Sequence, residues 1–326
     1  MKMKNILGIG NALVDIMTKL DSDSYLAHFG LPKGSMVLVD AVKSKSVSDG
    51  TLHLKKTIRS GGSAANTIHG LAWMGLDTGF IGKIGKDELG KVFHDDLTSS
   101  KIRPHLVHSN TESGRAMALI SPDAERTFAT YLGAAVELSD QDLDESIFKN
   151  YDLVHIEGYL VQNHALLLRA MEIARKNHLK ISIDMASYNV VEANREFLYS
   201  IIREFVDIVF ANEDEAKALT GKDPEKALDE ISGSCEIAIV KTGRHGSLVK
   251  SGNQTFPIGI IPAESIDTTG AGDLYASGFL YGLAQNLPLD KCGRIGAILA
   301  GKVIEVVGSK MDDKRWIEAK EMVYKV

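Results

Sequence analysis

Apolar positions along the chain follow two alternating patterns. Short runs rich in β-branched residues predict strands over Asn5–Gly10, Leu13–Leu20 and Met36–Asp40. Ser63–Met74 has helical spacing, with Ile68, Leu71 and Ala72 on one side. Thr78–Ile84 predicts a strand, and Asp87–Thr98 a helix with acidic residues in its first turn. Arg115–Ser121 and Arg126–Leu132 flank the turn dipeptide Pro122-Asp123, which predicts a hairpin.

Beyond Ser139 the alternation becomes regular. Predicted helices cover Gln141–Lys149, Ala165–Asn177, Arg195–Glu204 and Glu213–Leu219. Strands are expected at Asp152–Glu157, Lys180–Asp184, Asp207–Ala211 and Ile237–Lys241, the last opening a β-rich stretch to Ile261. Two apolar helices, Ala271–Ala284 and Leu289–Val306, are expected to close the chain. Strands alternating with helices of this length predict βαβ units and a mainly parallel sheet covered on both faces. The early extra strands break that alternation and predict a separate small sheet. The expected organisation is one α/β domain over residues 1–326, with a small β lid built from residues 12–58 and 103–134.

Composition narrows the class. The chain has 326 residues, 44% hydrophobic, enough for a sizeable core and too many for disorder. Its formal net charge of −6 argues against a nucleic-acid or anionic-membrane surface. Two cysteines, Cys235 and Cys292, make neither a disulfide framework nor a zinc site. No apolar run reaches the length of a membrane span. Asn11 and Asp15 interrupt the first apolar run too early for a signal peptide, so a first strand and a cytoplasmic protein are expected.

Several chemistries fail on their own patterns. Gly8-Ile9-Gly10-Asn11-Ala12-Leu13 begins like a dinucleotide fingerprint, but Leu13 stands where the third glycine belongs and an extended segment follows. This disfavours a nicotinamide-dependent oxidoreductase. No Gly-Lys pair is followed by Ser or Thr, so there is no Walker A loop, and no Gly-x-Ser-x-Gly elbow occurs. His105 and His108 lack an acidic third ligand and read as a solvated or core-edge pair.

Asp267-Thr268-Thr269-Gly270-Ala271-Gly272-Asp273 carries more chemistry, because the apolar helical run Leu274–Ala284 follows it directly. Small residues at a helix start leave backbone N–H groups exposed, and with the positive end of the helix dipole they make an anion site. Asp273 falls in the first turn, placed to take a proton from an alcohol while the amides of Gly270, Ala271 and Gly272 hold a phosphoryl group.

This segment resembles the C-terminal signature of the ribokinase (PfkB) family of carbohydrate and nucleoside kinases. Ser60-Gly61-Gly62-Ser63-Ala64-Ala65-Asn66-Thr67 resembles the family's second signature. Gly10-Asn11-Ala12-Leu13-Val14-Asp15, Asn212-Glu213-Asp214-Glu215 and Thr242-Gly243-Arg244-His245-Gly246 are similar to further family blocks and stand in family order. The resemblance implies a ribokinase-like three-layer α/β/α fold and an ATP- and Mg2+-dependent kinase. Acceptor contacts are implied for Asn11, Asp15, Gly61, Gly62 and Asn66, and ATP contacts for Asn212, Glu215, Thr242, Gly243 and Gly246. Glu215 would hold magnesium through water, and Asp267 and Thr269 a monovalent cation such as K+. Ala300–Gly308 resembles the region where relatives wall the adenine pocket.

The implied partner is a small nucleoside or sugar, and the implied assembly a monomer or a lid-mediated homodimer. The Gly10–Ile16 block and Arg126–Ala135 resemble the adenosine kinase subgroup, with Met36, Phe128 and Tyr131 as lid contacts to a purine. A ribokinase- or fructokinase-like acceptor, and a non-catalytic nucleoside or nucleotide sensor on the same fold, remain open at this point.

Overall fold

The computed structural model describes residues 3–123 and 125–326. Along the chain the strands are β1 (Asn5–Ile9), β2 (Leu13–Lys19), β3 (Met36–Leu38), β4 (Lys56–Gly61), β5 (Asp77–Gly85), β6 (Ile102–Ser109) and β7 (Gly114–Ile120). They continue as β8 (Arg126–Tyr131), β9 (Leu153–Glu157), β10 (Lys180–Asp184), β11 (Ile208–Asn212), β12 (Ile237–Lys241), β13 (Ser247–Ser251) and β14 (Gln254–Ile258).

Nine strands form one sheet in the order β14-β13-β12-β11-β10-β9-β1-β5-β6. The seven from β12 to β6 run parallel, and β13 and β14 add an antiparallel edge. Central strands such as Leu153–Glu157 are buried throughout, as expected where helices cover both faces. One face carries the helices Ser63–Trp73, Glu88–Ser99, Ala271–Ala284 and Leu289–Val303. The other carries His164–Lys176, Arg195–Glu204, Glu213–Thr220 and Pro224–Ser232. Ala271–Ala284 is apolar nearly all round because it is sandwiched between Ser63–Trp73 and Leu289–Val303.

The other five strands form a smaller sheet, β3-β8-β7-β2-β4. The chain enters it through Gly10–Ala12 after β1 and returns through Gly62 after β4. It leaves again between β6 and β7, and comes back through Leu132 and Gly133. All four passages therefore lie where the two sheets adjoin.

The structure departs from the pattern-based expectations at definite places. Gln141–Lys149 is not one helix but a 3-10 turn, Asp140–Asp142, and a four-residue helix, Glu145–Phe148, each opened by its own cap at Ser139 and Asp144. Ile102–Ser109 pairs with β5 in the larger sheet, so the second contribution to the smaller sheet begins at Gly114, while the first runs on to Gly61. The helix from Leu289 stops at Val303, and a further helix, Asp313–Tyr324, ends the chain. That helix buries only Trp316 and Ala319, too few positions to show a period, and is pinned by Trp316 stacked on Trp73 at 5.4 Å. The helices Ser24–His28 and Ala41–Gly50 and the strand β4 also expose half or more of their residues and lack a clear pattern. Among the described residues no helix is long and apolar enough to cross a membrane.

Candidate active site

Four neighbouring parallel strands each end in a polar residue after an apolar run: β9 in Glu157, β10 in Asp184, β11 in Asn212 and β12 in Lys241. The register pairs Asp184 with Glu157 and Asn212 with Lys241, so all four project from one edge. It is the carboxyl edge, where open α/β sheets bind ligands.

The helix Ala271–Ala284 points its start at this edge. Gly270 is its N-cap, with φ 78° in the left-handed region, and a Cβ there would fall 2.7 Å from the Cβ of Ser309, so only glycine fits. The amide of Ala271 donates to the Thr268 carbonyl at 3.2 Å, and the regular ladder begins at Leu274, which donates to the Gly270 carbonyl at 2.8 Å. The arch therefore offers the amides of Gly272 and Asp273, rather than that of Ala271.

Asp273 is bound on both oxygens. Ser63 Oγ donates to Oδ1 at 2.8 Å and Asn66 Nδ2 donates to Oδ2 at 2.9 Å. Ser309 Oγ in turn donates to Asn66 Oδ1 at 2.9 Å, which fixes the amide's orientation. Burial pushes the Asp273 carboxyl up to about 6. The Asn66 and Ser63 hydrogen bonds and the Lys241 charge restrain the rise, and Asp184 adds to it.

Two cavities adjoin at Ser63 and Tyr159, beside this acid. The first, about 280 Å³, is lined by Asp184, Asn212, Glu215, Lys241, Gly272 and Asp273, together with Ser63, Tyr159 and Ala186. Lys241 Nζ lies 2.8 Å from Asp184 Oδ2. Burial works to lower the Lys241 pKa, but Asp184 and Glu215 outweigh it and keep the ammonium charged. Asn212 caps the helix Glu213–Thr220 in a reciprocal box: its N–H and Nδ2 donate to the two Glu215 oxygens at 2.8 and 2.7 Å. Burial, then the nearby Asp184, raises the Glu215 pKa.

The second cavity, about 290 Å³, lies between the two sheets and shares Ser63 and Tyr159 with the first. Asn11, Gly62 and Glu157 face it, within walls that include Leu13, Met36, Leu38, Leu138, Leu160 and Val190. Glu157 accepts from the Asn11 N–H at 2.8 Å, from Asn11 Nδ2, and from the Ala64 N–H at 3.1 Å. Burial nevertheless pushes its carboxyl up to about 7. Gly62 has φ 92°, and a Cβ there would fall 2.4 Å from the Asn11 carbonyl oxygen. The glycine thus lets the returning chain pass against Asn11.

Other candidates lie elsewhere. Asp15 packs against Gly61 and lines a separate crevice with Arg59, Ser309 and Lys310, close enough to Asp273 for the two carboxylates to repel. Burial pushes its carboxyl up to about 7, with Lys310 opposing. Thr242, Gly243 and Gly246 form an exposed or half-buried turn between β12 and β13, outside both cavities. Phe128 and Tyr131 do not line the inter-sheet cavity, whereas Met36 does; Tyr131 instead stacks under the Arg115 guanidinium. Asp267 and Thr269, expected to hold a monovalent cation, hold a side chain of this protein. Arg126 of β8 forms an ion pair with Asp267 and donates to Thr269 Oγ1 at 2.6 Å, and Asp267 also accepts from the Thr269 and Gly308 amides. Gly308, at the end of the Ala300–Gly308 region, is thereby tied to the arch.

The sequence reading missed Glu157, Asp184 and Lys241. Their signal was present in Leu-Val-His-Ile-Glu, Lys-Ile-Ser-Ile-Asp and Ile-Ala-Ile-Val-Lys, each a buried strand stopping on one charged residue.

Solved structures give the class first. A probable sugar kinase from Rhizobium etli CFN 42 superposes with a TM-score of 0.89 and 32% identity, covering 99% of both chains. An adenosine kinase from Sinorhizobium meliloti superposes with a TM-score of 0.88 and 31% identity, covering 99% of this chain and 100% of that one. The architecture is that of the ribokinase-like α/β kinases. A family model described as pfkB family carbohydrate kinase matches residues 36–314, and the chain belongs to that family: it is a phosphotransferase. Among curated proteins, a 5-dehydro-2-deoxygluconokinase from Geobacillus kaustophilus is 28% identical over 263 residues, 75% of this chain and 78% of that one.

Proposed function

We propose that the protein transfers the γ-phosphoryl group of ATP to the hydroxymethyl group of a nucleoside, with adenosine the preferred acceptor. One observation carries this choice among the family's substrates. The inter-sheet cavity has mostly apolar walls; among the described residues no lysine, arginine or histidine lines it, and Glu157 is its one carboxylic acid. A sugar acid or sugar phosphate would bury its negative charge there without a partner. A neutral acceptor with a flat apolar portion gains from the same walls. The 31% identity to an adenosine kinase over the whole chain supports the reading.

In this mechanism the acceptor lies in the inter-sheet cavity, and the triphosphate in the cavity at the strand ends. Asp273 takes the hydroxyl proton as the acceptor oxygen bonds to the γ-phosphorus and the bond to the ADP oxygen breaks. The Gly272 and Asp273 amides stabilise the charge on the phosphoryl oxygens. The carboxylates of Asp184 and Glu215 suit a hard cation. A magnesium ion arriving with the nucleotide would be held by them, through water at Glu215, and would neutralise phosphate charge. The smaller sheet acts as a lid that excludes water and suppresses idle hydrolysis.

Release of ADP from ATP, measured with adenosine, inosine, ribose, fructose and 5-dehydro-2-deoxygluconate, tests the proposal. Adenosine is expected to give the highest kcat/KM. A free sugar or sugar acid that matched or exceeded it would overturn the nucleoside assignment.

A further inference from the structure

Among the described residues Lys241 is the one cationic side chain lining the 280 Å³ cavity, facing the carboxylates of Asp184, Glu215 and Asp273. It ends an otherwise apolar buried strand, and its side chain is only 17% exposed. Stability alone explains it poorly. A buried ion pair such as Lys241–Asp184 recovers little more than its desolvation cost, and apolar residues would fill the space as well.

Its position explains it better. A methyl group placed on Gly272 would meet Lys241 Nζ at 3.1 Å, so the ammonium rests against the arch at the start of Ala271–Ala284. An ammonium has three donors, and Asp184 accepts from it at 2.8 Å. A polyanion entering a cavity with three acids in its wall needs more positive charge than a helix end supplies.

We propose that Lys241 binds the terminal phosphates of the nucleotide donor, with Asp184 as the positioning residue that aims its ammonium at the arch. The inference rests on the reading of this cavity as the triphosphate side. Lysine suits the task because a point charge with rotatable donors can follow a phosphate as it moves from donor to acceptor.

Affinities of the full-length protein for ATP, ADP and AMP, measured by calorimetry with and without Mg2+, provide the test. The wild type is expected to bind ATP more tightly than ADP, and ADP more tightly than AMP. Lys241→Met should weaken ATP binding at least about tenfold, leave AMP nearly unchanged and reduce the salt dependence. Lys241→Arg should recover much of the loss. The paired variant Lys241→Met/Asp184→Asn removes both partners of the ion pair together, so it serves if the single variant does not fold. Without Mg2+, where Asp184 has no ion to hold, it should show the same selective loss of ATP affinity. If the wild type ranks the three nucleotides and either methionine variant ranks them identically, the lysine assignment is overturned alone. If the wild type does not distinguish ATP from AMP, the cavity reading falls with it.

Discussion

Asn66 Nδ2 donates to Asp273 Oδ2 at 2.9 Å although the two residues stand 207 positions apart. One lies on the helix that leaves the smaller sheet, the other at the helix start in the last quarter of the chain. The contact orients the acid and restrains its pKa, so the protonation of the proposed base depends on a second element.

Replacing Asp273 with Asn keeps the shape of this contact and removes the proton acceptor. Turnover should fall about a thousandfold, within the usual contribution of a general base, while ATP affinity stays near that of the wild type. Steady-state kinetics and calorimetry on the same sample check both halves.

The pH profile follows from the same acid. Asp273 must be ionised to accept a proton, and its carboxyl lies at about 6, so kcat/KM should rise with pH through that value and level off above it. The Asn66 hydrogen bond lowers this pKa, so Asn66→Ala should move the acid limb to higher pH as well as lowering the plateau. An unmoved limb would separate it from Asp273.

Glu157 makes stability depend on pH. Its carboxyl is raised from 4.5 to about 7, so the folded state holds a proton that the unfolded chain has released between those values. Stability from this group is full below about 4.5 and lost as pH rises through 7, roughly 3 kcal/mol in all. Glu157→Gln removes the titration. The Tm of the wild type relative to this variant should therefore decline from pH 5 to pH 8, as differential scanning calorimetry would record.

Arg126 is expected to matter for stability as well as for the site. Arg126→Ala strips the cation from the buried Asp267, with an expected cost of about 3 kcal/mol. We predict that a small monovalent cation then takes the vacated position between Asp267 and Thr269. We expect the variant, unlike the wild type, to gain Tm in KCl over choline chloride at equal ionic strength.

What the sequence made legible was local. The arch from Asp267 to Asp273 announces itself because small residues, an acid and an apolar helix follow one another without a gap. The parallel sheet was legible because its buried strands are nearly continuous apolar runs. Glu157, Asp184 and Lys241 were not, because each is a single charge at a strand end and only the parallel register sets the three side by side. Arg126 was hidden for a related reason: its partners Asp267 and Thr269 lie some 140 residues away, on the other side of the junction between the sheets. Ile102–Ser109 was drawn to the wrong sheet because its mixed burial matches an edge strand of either one.

Three of the four passages between the sheets contribute a wall of the inter-sheet cavity, through Asn11, Gly62 and Leu132. Any tilt of the smaller sheet must be absorbed by backbone torsions in those same short links. Hinge and pocket are thus made of shared atoms, and an acceptor seated against Asn11 and Gly62 biases the tilt directly, with no intervening relay.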